Sequence, residues 1–317
     1  MTCDNDPRST EDGGTVGEIR MISRFPIKSV GGRRLERSHV GTEGVIGDRQ
    51  YGFLDLESGK LCNAKFPRKF GSMLACRAYF VEEPEPRQGF PPIEVLFPDG
   101  STHRNVDDDL NEAMSSYLGR PVKLISSVPR GVENEIEFLE SSGMEKQDVY
   151  ARAVANEYGE QVAVYEQATG ETFFDLTPLH IVTTSTIEHF KSINPDAAFD
   201  ARRYRPNFLI ATQENGLVEE TWVGRSIRIG QSTIADILLP TPRCVMSTLE
   251  HDVDVPLDRA TLRTVVKNNT QELPSLGGRW GCAGVYAGVG ASGMVEVGDR
   301  VEMVPGFHGA PIPAAPS

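Results

Sequence analysis

Cysteine is scarce in this 317-residue chain: five residues, at positions 3, 62, 76, 244 and 282, with no Cys-x-x-Cys pair among them. That spacing excludes a disulfide framework and a zinc finger, and it makes a reducing cytoplasm the expected compartment. No apolar run is long enough to span a bilayer as a helix. The first residues, Met1 to Thr15, have neither the basic start nor the apolar segment of a secretory signal, and they are too acidic for a transit peptide. Positive charge is also in deficit. With 32 Lys and Arg against 45 Asp and Glu, the net charge is −13, which argues against partners such as nucleic acid or an anionic membrane and suits plain solubility. No internal repeat is visible. Neither is a fused iron–sulfur or flavin module.

What is present is length enough for two domains, and 31 Gly with 21 Pro to supply many turns. Residues 1–14 read as a disordered tail and 15–127 as a first domain of short strands. Residues 128–170 read as an acidic insertion or linker without a sustained period, 171–305 as a second domain and 306–317 as a loose tail. Ile93, Val95 and Phe97 alternate up to Asp99-Gly100, a hairpin signal. Asp107 to Leu118 has the 3.6 period of a helix that Gly119 and Pro121 stop. Thr184 or Ser185 can cap a helix with Ile187, Phe190 and Ile193 inward. Pro256 to Lys267 reads as a helix, and Val295 to Met303 as a hairpin about Gly298-Asp299. Strands this short, broken by Gly and Pro, indicate a β-rich mixed α/β fold built on a small barrel or sandwich.

Several clusters carry chemistry. Lys28-Ser29 with Gly31-Gly32 places an ammonium and a hydroxyl on permissive backbone, a loop able to cradle phosphate, although a turn lysine also serves simply as solvated surface. Arg49 can fork onto a phosphate or pair with Asp48. Thr183, Thr184, Ser185 and Thr186 crowd a strand-to-helix junction, where free N–H groups attract anions or are merely capped. Arg202, Arg203 and Arg205 form a cationic cluster leading to Asn207. His180 in an apolar strand suits a satisfied core position better than a ligand. Cys62 and Cys76 suit burial. Cys244, beside Arg243, and Cys282, between glycines, sit at element boundaries where a thiolate can serve as a soft metal ligand. No His stands near either as a base, so cysteine hydrolysis is poorly supported.

Arg24-Phe-Pro-Ile-Lys-Ser29, Gly47-Asp-Arg49, Leu176-Thr-Pro-Leu-His-Ile-Val-Thr-Thr-Ser185, Tyr204-Arg-Pro-Asn207, Arg243-Cys244 and Gly298-Asp299 follow one another in the order found in MOSC proteins. From Val16 to Val304 the chain resembles the group with an N-terminal MOSC β-barrel domain, which includes the mitochondrial amidoxime-reducing component. The resemblance implies a MOSC β-barrel core with a smaller N-terminal β-barrel domain and a molybdenum cofactor (molybdopterin) between them. Lys28, Ser29 and Arg49 would bind its phosphate; Thr183, Thr184, Arg205 and Asn207 would line the pterin and metal face. The family is also associated with pyridoxal phosphate binding. The implied reaction reduces N-hydroxylated small molecules with electrons from a separate donor protein; the alternative is a cofactor carrier or sulfur-transfer protein. One departure stands out. The family's metal-ligating cysteine follows the helix matching Leu257 to Lys267, where this chain has Asn268-Asn269. Cys282 is then the expected metal ligand, with Cys244 as the alternative; these two and Asn207 are the candidate catalytic residues.

Overall fold

The computed structural model describes residues 14–107, 109–137, 152–155, 161–251 and 254–307, with backbone alone for 152–155. The two expected tails lie outside them, apart from residues 14, 306 and 307. Seven strands close into a barrel: β1 (Thr15–Arg24), β2 (Leu179–Thr183), β3 (Phe208–Ala211), β4 (Ser226–Ile229), β5 (Thr233–Pro242), β6 (Gly278–Ala291) and β7 (Arg300–Val304). Their order around the barrel is β2, β3, β1, β7, β4, β5, β6 and back to β2. Only β2 and β3 run parallel, with Ile181 opposite Phe208; a helix crosses between them, as a parallel pair requires. Ile19, Ile22, Ile181, Phe208, Ile210, Ile227, Ile237, Val285 and Val301 belong to the buried core that the barrel encloses.

β1 deserves separate mention because the sequence places it at the head of the N-terminal domain. It pairs instead with β3 and β7, so the chain's first strand is a stave of the C-terminal barrel. The rest of the N-terminal region builds a second core from Ile27, Phe53, Phe70, Met73, Phe80, Ile93, Val95 and Met114. Its strands are Gly52–Asp55 against Val122–Ile125, and Arg77–Phe80, Ile93–Leu96 and Thr102–Arg104 in a meander. Helix α1 (Pro67–Phe70) and helix α2 (Asp109–Leu118) belong to this half.

The described residues of the stretch 128–170 include three strands. Glu133–Ile136, Gln161–Glu166 and Arg152–Ala155 form an antiparallel sheet, and Asn134 bridges to Leu61. Glu135 in this acidic stretch is buried, with Lys60 and Lys69 holding its two oxygens at 2.5 and 3.0 Å. The hairpin expected at 295–303 fails. Gly293–Glu296 pairs with Arg37–Gly41, whereas β7 pairs with β1 and β4, so the turn at Gly298 sends the chain from one sheet to another.

Helix α3 (Thr184–Ile193) is capped by Thr183, one residue before the earlier of the two expected caps, with the Thr183 side chain accepting from Thr186 N–H; Ile193 is exposed rather than inward. Helix α4 (Arg259–Asn268) is capped by Asp258 and lies directly on β6. Gly281 permits this approach: a Cβ there would meet the Val266 Cα at 2.9 Å. Gly281→Ala is expected to lower stability by about 1–3 kcal/mol, because helix backbone must move. A urea midpoint equal to the parent's would contradict that.

Candidate functional site

Between the barrel and the N-terminal half lies a cleft assembled from loops distant in sequence. The loop after β1 brings Lys28 and Ser29, the following turn Arg49, and residues 63–65 Asn63 and Lys65. Phe173 to Thr177 forms one edge, Arg203 to Asn207 the approach to β3, and Pro242 to Met246 the exit from β5. Among the described residues that line it, six are cationic (Lys28, Arg49, Lys65, Arg203, Arg205 and Arg243) and one, Asp175, carries a carboxylate. In a chain of net charge −13 that concentration marks a site for an anion.

The backbone is strained where the cations stand. Four non-glycine residues among those described have positive φ, and three line this cleft: Ser29 at 62°, Arg49 at 48° and Arg205 at 52°. Such conformations cost on the order of 1–3 kcal/mol each and persist where surrounding contacts enforce them. Here the contacts are visible. Arg49 Nη2 donates to the Arg205 carbonyl at 3.1 Å, Arg205 Nη2 to the Val30 carbonyl at 2.8 Å, and the two guanidiniums lie 4.7 and 4.2 Å from the Phe25 ring centre. Burial, then the neighbouring Arg49, lowers the Arg205 pKa to about 9.

Asp48 organises the floor. It accepts from Phe25 N–H at 2.7 Å and Asn207 Nδ2 at 2.9 Å, and it pairs with Arg49. Asn207 gives its amide oxygen to His180 N–H at 3.0 Å. Both ends of this amide are therefore engaged in holding β1, β2 and β3 together, while Asn207, expected to be catalytic, also lines the cleft. His180 is held neutral. Burial, then Arg243 and Arg49, pushes its pKa well below the ordinary value, and Arg243 donates to Nε2 at 3.0 Å. The buried Tyr204 hydroxyl and the Arg243 Nε, both on cleft-lining residues, have no hydrogen-bond partner among the described residues. Polar atoms buried this way call for a ligand or water.

Lys28, Ser29, Arg49, Arg205 and Asn207, all expected at the site, do meet in this cleft. Thr183 and Thr184 do not. The start of α3 faces a carboxylate of the chain itself: Glu219 accepts from the hydroxyls of Thr183 and Thr186 at 2.6 and 2.7 Å. Thr184 accepts from Thr212 N–H. The anion expected at that helix terminus is thus Glu219.

Cys282 is also displaced from its expected role. It is fully buried beside Leu238, Leu239, Leu273, Leu276 and Trp280, donates to the Trp280 carbonyl at 3.2 Å, and has its pKa pushed up to about 12 by burial and then Glu220. It does not line the cleft; Cys244 does, half-buried, at the end of β5. Among the described residues no group of three or more His, Cys, Asp or Glu could hold a metal ion. A metal here would have to bring most of its ligands. Lys65, Asp175, Tyr204 and Arg243 complete the site without having been singled out as binding residues in the sequence; Tyr204 and Arg243 stood in the MOSC-like motifs, whereas Lys65 and Asp175 carried no signal.

Asn269, at the place of the family's cysteine, points its amide elsewhere. It donates to Glu220 at 2.6 Å and to the Cys282 carbonyl at 2.8 Å, and Gln271 also donates to Glu220. Burial raises the Glu220 pKa to about 7, with Asn269 opposing and Glu219 adding to the rise. Between about pH 4.3, the ordinary Glu value, and pH 7 the unfolded chain is ionised at this residue while the folded one keeps its proton. The resulting penalty is absent below that window, grows across it and is constant above. The melting temperature of Glu220→Gln minus that of the parent is therefore expected to grow from pH 5 to pH 8; a constant difference would contradict it.

The MOSC domain family model matches residues 170–302, and the MOSC N-terminal beta barrel domain model matches residues 16–80, together more than half of the chain. The chain is a MOSC-domain protein. MOSC domains are associated with molybdenum-cofactor-binding proteins. No curated protein matches the chain. A solved structure described as a hypothetical protein is 17% identical, with 50% of this chain and 70% of that one covered and a TM-score of 0.30. The YUAD protein from Bacillus subtilis is 12% identical, with 57% and 86% covered and the same TM-score of 0.30. Likeness at this level carries no argument about this MOSC protein's site. No helix among the described residues is long and apolar enough to cross a membrane.

Proposed function

We propose that the cleft holds a molybdenum cofactor and that the protein reduces N-hydroxylated or related N–O small molecules. The observation that carries this reading is the gathering of six cations against one carboxylate, with strained backbone at Ser29, Arg49 and Arg205, around one cleft that also presents a thiol. The residues suit the group. Lys28, Ser29, Arg49 and Lys65 would hold the phosphate, Arg205 and Arg243 the polar edge of the pterin, and Cys244 the metal. When bound, the cofactor supplies two-electron redox chemistry that amino-acid side chains lack.

The chain's own part is binding and orientation. Asn207 and Asp48 fix Arg49 and the barrel floor, while Phe25 keeps both guanidiniums in place. His180 cannot supply a proton at neutral pH, because its Nε2 is an acceptor for Arg243. Electrons would come from a separate donor protein. The test is turnover: purified, cofactor-loaded protein with a chemical reductant is expected to consume hydroxylamines or amidoximes, and their persistence sinks the reductase assignment.

A cofactor carrier or sulfur-transfer protein is the second reading. Asn269, tied to Glu220 instead of facing the cleft, favours it. A carrier would pass its cofactor to an apo-enzyme and turn over no substrate.

A further inference from the structure

Asp175, the one carboxylate among the described residues that line the cleft, sits where an anion would bind. Asp175 Oδ1 accepts from Lys28 Nζ at 2.6 Å, and Oδ2 lies 3.0 Å from Lys65 Nζ. The two lysine side chains are 5% and 11% exposed, whereas Asp175 is 35% exposed. Two buried ammonium groups are thus bridged by one carboxylate that reaches them from the cleft edge. Lys65 also donates to the Tyr165 hydroxyl at 3.1 Å, which orients its ammonium.

Hydrogen bonds hold the residues around the two lysines. Ser29 Oγ accepts from Ala64 N–H at 3.1 Å, next to Lys65. From Asn63 a chain of amides runs inward: Asn63 donates to Asn134, Asn134 to Gln167, and Gln167 to the Phe174 carbonyl, at 2.9, 2.9 and 2.7 Å. The loop carrying Asp175 is pinned again at Phe173, whose N–H donates to the Arg49 carbonyl at 2.7 Å and whose carbonyl accepts from Lys28 at 3.2 Å. With the backbone held at Phe173 and Phe174, just before Asp175, rotation of the side chain takes the carboxylate from the lysines toward solvent.

From this geometry we infer that Lys28 and Lys65 form an anion seat for which Asp175 is a built-in competitor, so that the seat selects phosphate-type dianions over monoanions. A monoanion that displaces the carboxylate exchanges one negative charge for another and gains little. A dianion exchanges one for two and supplies more acceptor oxygens to the same ammonium groups. Burial raises the carboxyl pKa, but the two lysines outweigh it and hold Asp175 ionised well below the usual carboxylate range, so the competitor stays charged at neutral pH. The inference rests on the cleft being an anion site, as proposed above, and adds the residues that decide which anion enters.

The test uses inorganic phosphate and nitrate as probes at pH 8, by isothermal titration of the full chain. The parent is expected to bind phosphate and to show no measurable nitrate binding. Asp175→Asn removes the competing charge; it is expected to bind phosphate at least about tenfold tighter, the worth of one charge-assisted hydrogen bond, and to acquire nitrate binding. Adding Lys65→Met to that variant is expected to abolish the gain. If Asp175→Asn binds phosphate no tighter, or more weakly, Asp175 orders the lysines and does not compete, and the inference falls. If the gain survives Lys65→Met, the seat lies elsewhere and the inference also falls. Asp175→Ser gives the same readout should the Asn variant melt too low to titrate. Cofactor content of the parent is measured separately: a gain in Asp175→Asn without any bound cofactor would leave the seat standing and remove the molybdenum reading, and the reverse result would do the opposite.

Discussion

Cys244→Ser is expected to strip molybdenum from the protein while leaving bound pterin in place, and Cys282→Ser is expected to leave both. Cys244 alone among the described thiols lines the cleft; Cys62, Cys76 and Cys282 are buried away from it. A thiolate is a soft anionic ligand and a serine hydroxyl is not. Even residues one shell removed from a metal are worth about 10- to 100-fold in its affinity, so the loss of a direct ligand should cost at least that. The Ser change at Cys282 instead puts a hydroxyl among leucines, and its effect is confined to a lower melting temperature. Metal-to-pterin ratios of the two variants decide the matter. A normal ratio in Cys244→Ser, with loss in Cys282→Ser, would restore the expectation drawn from the sequence.

The second large effect is at Arg205. Arg205→Ala is expected to weaken cofactor binding about 10- to 100-fold, the range for one lost charge-assisted hydrogen bond in a buried site. Arg205→Gly should match it in binding but exceed it in stability by about 1 kcal/mol, because φ at this position is 52° and only glycine adopts that conformation without strain. Comparing the two variants separates the guanidinium's work from the backbone's. Equal stabilities would show that the left-handed geometry costs nothing here, and unchanged binding in both would remove Arg205 from the site.

Parts of the N-terminal half were legible in the sequence because alternation and turn residues act locally. Asp99-Gly100 makes its hairpin, and α2 ends at Leu118, just before Gly119 and Pro121. What escaped was non-local. β1 alternates like any strand, and nothing in its residues shows that it closes a barrel with one strand about 190 positions away and another about 285 away. The Thr183 cluster has the composition of an anion site, yet Glu219, 36 residues on, already fills it. The glycines beside Cys282 suggested an open loop; they are there to admit α4 at Gly281 and to turn the strand at Gly284, where φ is 80°. Glu135 made an acidic strand look like linker because its lysine partners lie in another segment. The cationic positions fared better: Lys28, Ser29, Arg49 and Arg205 stand in short motifs whose side chains converge once the loops are placed.

The most direct test is the molybdenum and pterin content of the full chain, made in a cofactor-competent host and measured by elemental analysis and by pterin fluorescence after oxidation. Near-stoichiometric amounts of both are the predicted result. Repeated preparations with neither would leave the barrel and its cationic cleft intact and contradict the cofactor assignment.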